Sequence, residues 1–210
     1  MTGSEANYLE AKQYAAATGV LCAAFQDYPL MRHCVPGDGR RVRAVRSLYS
    51  SVLRYTLRYG ETYATPGLEG VTCWLRPDDP FPTFWRMVRI GMLSVPWNFG
   101  VGGFRRLEAV DKIAEARHRE HAPGKHWYLW VIGVAPAHQG QGVAGRLMRP
   151  VFDKADRDEM RCYLETHKET NVAIYQRYGF RVASQTPVPG SPLTLYAMLR
   201  SPHAGPPERA

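Results

Sequence analysis

A chain of 210 residues with 45% hydrophobic and 22% charged residues has the size and composition of one ordinary globular domain with a proper core. Its net charge of +8 points to an acidic partner (a nucleotide phosphate, an acidic substrate or nucleic acid) without choosing among them. The four cysteines, Cys22, Cys34, Cys73 and Cys162, are scattered with no Cys-x-x-Cys pair, which argues against a disulfide framework and for reduced thiols. Met1–Asn7 lacks the basic start and apolar core of a secretory signal. No run approaches the ~20 apolar residues that cross a bilayer. A soluble, cytoplasmic protein with no membrane contact is expected.

In chain order, residues 8–25 show helical periodicity through Leu9, Tyr14, Ala17, Leu21, Ala24 and Phe25, stopping at Asp27-Tyr28-Pro29. Asn7–Lys12 is too short and mixed to predict a strand before it. Residues 40–59 form a second helix, with Val42, Val45, Leu48, Tyr49, Val52, Leu53 and Leu57 on one side and Arg40, Arg43, Arg46, Arg54 and Arg58 on the other. That basic face reads as a solvated surface. Two strands follow, at Thr62–Thr65 and Gly70–Leu75, joined by a turn at Pro66-Gly67.

Residues 77–125 open on Pro77-Asp78-Asp79-Pro80, then give a basic amphipathic stretch from Phe81 to Val95 and a charged helix from Phe104 to His121. This insertion either covers a binding site or shields a sheet face. Beyond it the chain alternates: strand 127–134, helix 142–157, strand 160–165, helix 170–178, and strands 180–185 and 193–199. Pro150 inside the 142–157 helix predicts a kink. Residues 1–200 read as one domain and 201–210, rich in Pro and Gly, as a flexible tail.

The strand from Trp127 to Val134 leads through five residues into Gly140-Gln141-Gly142-Val143-Ala144-Gly145 and then a helix. Unpaired N–H groups at the positive end of a helix dipole form a phosphate site. The hexapeptide matches the dinucleotide fingerprint Gly-x-Gly-x-x-Gly, but that fingerprint sits directly at a strand end, opens its domain, and has an acid ~20 residues on. None of these conditions is met here.

The same residues, Val134-x-Pro136-x-x-Gln139-x-x-Gly142-x-Ala144, resemble the pyrophosphate loop of the GNAT superfamily of acyl-CoA N-acyltransferases. Leu164-Glu165-Thr166, Asn171, Tyr175 and Tyr178-Gly179-Phe180 make a second block, in a form similar to the branch that includes puromycin N-acetyltransferase. The resemblance is close over 127–199, loose over residues 24–75 and poor over 77–125. It implies an α/β (α+β) fold: a mixed, mostly antiparallel central sheet flanked by helices, with the helical insertion before the cofactor-binding strand. It also implies acetyl-CoA as co-substrate, no metal, and a small-molecule or peptide amine as acceptor, in a monomer or homodimer.

Residue roles follow from the resemblance. The N–H groups of Gln139, Gly140, Gln141, Gly142, Val143, Ala144 and Gly145 hold the pyrophosphate. The edge of Ile132, Gly133 and Val134 pairs with the pantetheine arm, with Gly133 a candidate bulge residue. Asn171 is a further cofactor contact or a helix N-cap. Tyr175 is the acid that protonates the departing thiolate, against a plain core-packing role. Glu165 is the candidate base, directly or through water, against a structural cap or ion-pair role. Strict alternation puts Tyr128, Trp130 and Ile132 on one face of their strand and Trp127, Leu129 and Val131 on the other.

His118, His121 and His126 fit no metal-ligand spacing. The competing readings are a catalytically silent CoA-binding regulatory module, which shares the loop, and a basic nucleic-acid-associated protein, for which no recognition motif exists.

Overall fold

Seven strands form one sheet in the computed structural model, which describes residues 6–203. They are β1 (Asn7–Tyr8), β2 (Gly60–Ala64), β3 (Gly70–Leu75), β4 (Trp127–Val134), β5 (Cys162–Thr166), β6 (Phe180–Pro187) and β7 (Thr194–Arg200). The order is β1-β2-β3-β4-β5-β7-β6, antiparallel throughout except for the parallel β4–β5 pair. The expected mixed, mostly antiparallel sheet is therefore present.

Among the described residues, seven α-helices cover it: α1 (Tyr14–Phe25), α2 (Pro29–Cys34), α3 (Asp38–Tyr59), α4 (Phe84–Arg89), α5 (Ser94–His121), α6 (Val143–Arg157) and α7 (Glu169–Gln176). Strand alternation decides which helices meet which face. Val71 and Cys73 of β3 pack with Leu21 of α1, Leu53 of α3 and Phe99 of α5. Trp74, pointing the other way, packs with Leu147 and Val151 of α6. The 77–125 insertion thus lies on the α1–α3 side as α4 and α5, with α5 interrupted at Gly100 (φ 70°, ψ 164°).

Several expectations are corrected. A first strand does exist: Asn7 and Tyr8 pair with Ala64 and Tyr63, and the Tyr8 and Tyr63 rings stack at 4.6 Å. Lys154 of α6 fixes that edge by donating to the Tyr8 hydroxyl (2.7 Å), Glu61 Oε2 (2.7 Å) and the Tyr63 hydroxyl (2.9 Å). The strand exists because distant groups capture it, which local periodicity does not report. The first helix accordingly begins only at Tyr14, after one 3-10 turn at Ala11–Gln13, and Pro29 starts α2 rather than a loop. Val42 and Leu57, expected on the apolar side of the second helix, are exposed, because they lie at the edge of the face that α3 buries.

The bulge in β4 falls at Trp130, not Gly133. Cys73 pairs with Val131 and Trp74 with Leu129, leaving Trp130 unmatched, whereas Gly133 sits opposite Val71 in regular register. The extra residue reverses the alternation. Trp127 and Leu129 pack on the α6 side, and beyond the bulge so do Ile132 and Val134, while Val131 joins Leu21 on the other face. Gly133 instead makes room for a helix. A Cβ there would lie 2.8 Å from Leu21 Cδ2 and 3.2 Å from Ala24 Cβ, so glycine lets α1 lie against the strand.

All four cysteines are free thiols, and burial pushes Cys34, Cys73 and Cys162 up to about 12. No helix among the described residues is long and apolar enough to cross a membrane. Most of the expected tail, from residue 204 on, lies outside the described residues, as do residues 1–5 of the N-terminal segment read for a signal.

Candidate active site

The bulge at Trp130 coincides with a fork in the sheet. β4 and β5 pair only from Trp127↔Cys162 to Leu129↔Leu164, while β4 continues along β3 as far as Gly70↔Val134. Past Leu129 the β5-facing edge of β4 has no strand partner among the described residues, and Glu165 is the first β5 residue beyond the paired stretch. A cavity of roughly 520 Å³ opens at this fork. Trp130 and Ile132 enter it from β4, Glu165 and Thr166 from β5, and Asn171 and Tyr175 from α7. Tyr49 and Val52 of α3, Phe84 and Met87 of α4, and Leu107, Asp111 and His118 of α5 close its far wall. Of the two roles considered for the insertion, the structure places it over this cavity.

At the other end of β4, Pro136–His138 makes a single 3-10 turn, after which Gly140 (φ 76°) and Gly142 (φ 73°) both adopt the left-handed conformation. That region costs an L-residue with a Cβ roughly 1–2 kcal/mol, so glycine fits Gly142 as the N-cap of α6. The Gln139 side-chain amide donates to the Val134 carbonyl (3.1 Å) and that of Gln141 to the Ala137 carbonyl (3.1 Å), bracing the loop from within. The first backbone bond of the helix is Arg146 N–H to Gly142 O at 3.4 Å. Among the described residues, no protein acceptor meets the N–H groups of Gly140 to Gly145. Six adjacent donors at an exposed helix start favour an anion.

Glu165 is the titratable centre of the cavity. Burial raises its carboxyl to about 7, against a partial pull downward from the Tyr128 and Tyr163 phenols beside it. The Tyr163 ring stacks on His118 at 4.2 Å, and His118 Nδ1 lies 4.0 Å from Glu165 Oε1. His118 Nε2 is 2.6 Å from His126 Nε2, and His126 Nδ1 is 2.9 Å from the Gly124 carbonyl. A carbonyl only accepts, so His126 carries its proton on Nδ1 and takes one from His118 Nε2–H. The His118 Nδ1 lone pair then faces Glu165. Burial lowers both imidazoles, His118 to about 3, which keeps the pair neutral.

On the α7 side, Tyr175 is 8% exposed and burial raises its hydroxyl above the usual tyrosine value, so it stays protonated. Its ring packs edge-on against Phe180 with centroids 5.9 Å apart. Asn171 Nδ2 donates to Thr166 Oγ1 (3.2 Å), and the Tyr28 hydroxyl hydrogen-bonds the same oxygen (3.0 Å) while accepting from His167 N–H (2.8 Å). Lys168, not Asn171, occupies the N-cap of α7.

The Acetyltransferase (GNAT) family model matches residues 74–180, half of the chain, including β4, the loop, β5 and α7. The chain belongs to the GNAT acetyltransferase family. This GNAT chain is 22% identical over 181 residues to an uncharacterised N-acetyltransferase of Schizosaccharomyces pombe, a match spanning 83% of this chain and 73% of the relative. Among solved structures it is similar to one from Corynebacterium glutamicum described as histone acetyltransferase HPA2 and related acetyltransferase. There the TM-score is 0.67 and the identity 21%, covering 96% of this chain and 97% of the other. It is also similar to a chain of the NatC complex bound to Gag peptide and CoA, with a TM-score of 0.53 and 16% identity, covering 93% and 96% of the two chains. These likenesses show the fold.

Within the GNAT fold, the structure gathers Ile132, Glu165, Asn171 and Tyr175 on one cavity, with Gly133 and Val134 along the open edge. Gln139 through Gly145 lie at the far end of that edge. Among the cavity residues that the sequence reading did not single out for the site are Tyr28, Asp111, His167 and His118 (considered there only as a metal ligand). The one available signal was the stripe Leu107, Asp111, Ala114, His118, which puts an acid and a histidine on an otherwise apolar helical face.

Proposed function

We propose that this GNAT protein is an acetyl-CoA-dependent N-acetyltransferase that transfers the acetyl group directly to the primary amine of a small molecule in a ternary complex. The observation carrying this reading is the fork itself: an unpaired strand edge joins an anion-binding helix start to a cavity holding Glu165 and Tyr175. The enclosure of the cavity by α4 and α5 favours a small acceptor over a long peptide.

In this reading, the N–H groups of Gly140 to Gly145 grip the diphosphate, and the Ile132–Val134 edge hydrogen-bonds the amides of the pantetheine arm as an added strand would. Bound acetyl-CoA supplies the thioester. A backbone N–H near Gly133 or Val134 faces the carbonyl oxygen as charge develops there, which is worth on the order of 3 kcal/mol. Glu165, ionised above about pH 7, withdraws a proton from the incoming ammonium so that a nitrogen lone pair is free. The His118–His126 pair then leads that proton toward the exposed 123–125 loop. The C–N bond forms as the C–S bond breaks; Tyr175 gives its hydroxyl proton to the sulfur, and the second proton lost by the nitrogen returns through water to the tyrosinate, so that one proton is released overall.

The test is titration of acetyl-CoA into the protein by calorimetry, alongside release of free thiol with an amine panel. Saturable binding and amine-dependent thiol release are expected. No heat at millimolar acetyl-CoA would remove the reading, and binding without transfer to any amine would favour the silent CoA-binding module.

A further inference from the structure

The chain carries 27 Lys and Arg against 19 Asp and Glu, yet the lining of its fork cavity contains no Lys or Arg among the described residues. It does contain three carboxylates: Asp111, Glu115 and Glu165. The cavity's histidines add no compensating charge, because burial lowers His118 to about 3 and His167 to about 4. A cationic protein has therefore built an anionic interior on an aromatic and aliphatic wall. The occupant that such a wall selects is an apolar body bearing positive charge.

The carboxylates are not equivalent. Glu115 is held by Arg119, whose Nε and Nη2 reach Oε1 at 3.0 and 2.7 Å on the outer surface. Glu165 has Tyr128, Tyr163 and His118 beside it. Among the described residues, Asp111 has no hydrogen-bond or ion-pair partner. It is an exposed residue of α5 that also lines the cavity, and burial together with Glu108 and Glu115 raises its carboxyl to about 7. Its nearest charges, Glu108 and Glu115, are of its own sign, and neighbouring Lys112 is turned to Glu108 at 3.2 Å. A carboxylate without a partner beside an apolar wall favours a cation placed against it. On α5, Asp111 stands seven residues from His118, which places it about 10 Å along the helix from the group that touches Glu165.

We infer that the acceptor is a lipophilic amine carrying a second cationic group, with Asp111 holding that second cation while the reacting amine lies at Glu165. This rests on the acetyltransferase reading of the same cavity. Both carboxyls are raised to about 7, and what separates their roles is position. Glu165 lies at the fork where the thioester is expected, and Asp111, ionised by an arriving cation, supplies the anchor two helical turns away and fixes which end of the acceptor reaches the thioester. A carboxylate at the acceptor's far end would meet Asp111 and Glu115 and be rejected.

The experiment compares three primary amines with the same aryl-alkyl body, whose far end bears hydrogen, a trimethylammonium group or a carboxylate. Acetyl-CoA consumption is followed for each. The expected kcat/KM order is cation, then neutral, then carboxylate, with about tenfold or more between the first two, the range of a charge-assisted contact. D111N should bring the cation-to-neutral ratio close to one, and D111E should shift the preference to a chain one bond shorter. A ratio near one in the unaltered protein, or a ratio that D111N leaves unmoved, would overturn the inference.

A second arm uses an alkane-diyl bis(trimethylammonium) salt, which cannot be acetylated. Calorimetry without acetyl-CoA should show binding that weakens about tenfold in D111N; equal binding to both proteins counts against the site. Bis-cation binding lost in D111N, with no acetyl transfer to any amine, would retain the site and remove the enzyme. Acetylation of the neutral amine with no cation preference would do the reverse.

Discussion

Replacing Glu165 by glutamine should make the protein more stable and less active at the same time. Burial raises the Glu165 carboxyl from 4.5 to about 7, and its side chain is 8% exposed, so solvent screens it little. Each pKa unit corresponds to 1.36 kcal/mol, so ionised Glu165 costs the folded state up to ~3 kcal/mol above pH 7. The sign follows from linkage. Below pH 4.5 the carboxyl is protonated whether the chain is folded or not, and E165Q gains nothing. Between 4.5 and about 7 the unfolded chain ionises while the folded one resists, so wild-type stability falls as pH rises. Above about 7 the penalty is constant. The melting temperature of E165Q relative to wild type should therefore climb from pH 4.5 to 7 and level off, by about 5–10 °C for a protein of this size. Scanning calorimetry across that range reads it directly. Over the same range kcat/KM for an amine should rise toward pH 7 in wild type, and should drop by about a hundredfold or more in E165Q. A melting difference that stays flat with pH, or undiminished turnover in E165Q, would refute the assignment of Glu165 as a buried, raised base.

Four further outcomes are expected. Y175F should lower kcat about a hundredfold with acetyl-CoA affinity nearly unchanged, measured by steady-state kinetics beside calorimetry; unaltered kcat would take Tyr175 out of the acid role. G142A forces a Cβ into φ 73°, where nothing lies within 4 Å but the backbone is strained by about 1–2 kcal/mol, so acetyl-CoA affinity should fall about tenfold through loop geometry alone. H126Q removes the ring that accepts from His118 and should lower kcat about tenfold at unchanged KM, with recovery on adding imidazole. R200A breaks the paired contacts to Asp156 at 2.6 and 2.9 Å and should cost about 2–3 kcal/mol in urea unfolding. Asp156 is held below its usual 3.8 chiefly by hydrogen bonding to Arg200. That contribution is full above 3.8 and disappears as pH falls through the lowered value, so the difference between wild type and R200A should narrow in strong acid to what the Tyr178 carbonyl bond and the Phe152 contact supply.

Much of the loop end of the candidate site was legible in the chain. Gly140, Gly142 and the apolar stripe of α6 are local features: a left-handed turn needs glycine, and a helix start exposes its own N–H groups whatever surrounds it. The placement of Glu165 just after a strand and of Tyr175 four residues before Gly179 was equally readable. The far wall of the cavity was not. Asp111 and His118 lie on a helix whose neighbours are α2, α3 and β7, none close in sequence, and a charged residue on a helix reads as solvated unless one knows what faces it.

The primary sequence alone settled the glycine turn ahead of α6, the strand–helix alternation after it and most strand positions, because periodicity and glycine chemistry act over a few residues. Three-dimensional packing decided the rest. It made a strand of Asn7–Tyr8 through Lys154 and put the bulge at Trp130, so that β4 and β5 part where they do. It also joined His118 to His126 and brought Asp111 to the cavity wall. Each of these depends on partners that only folding brings together, and a buried charge takes its meaning from them.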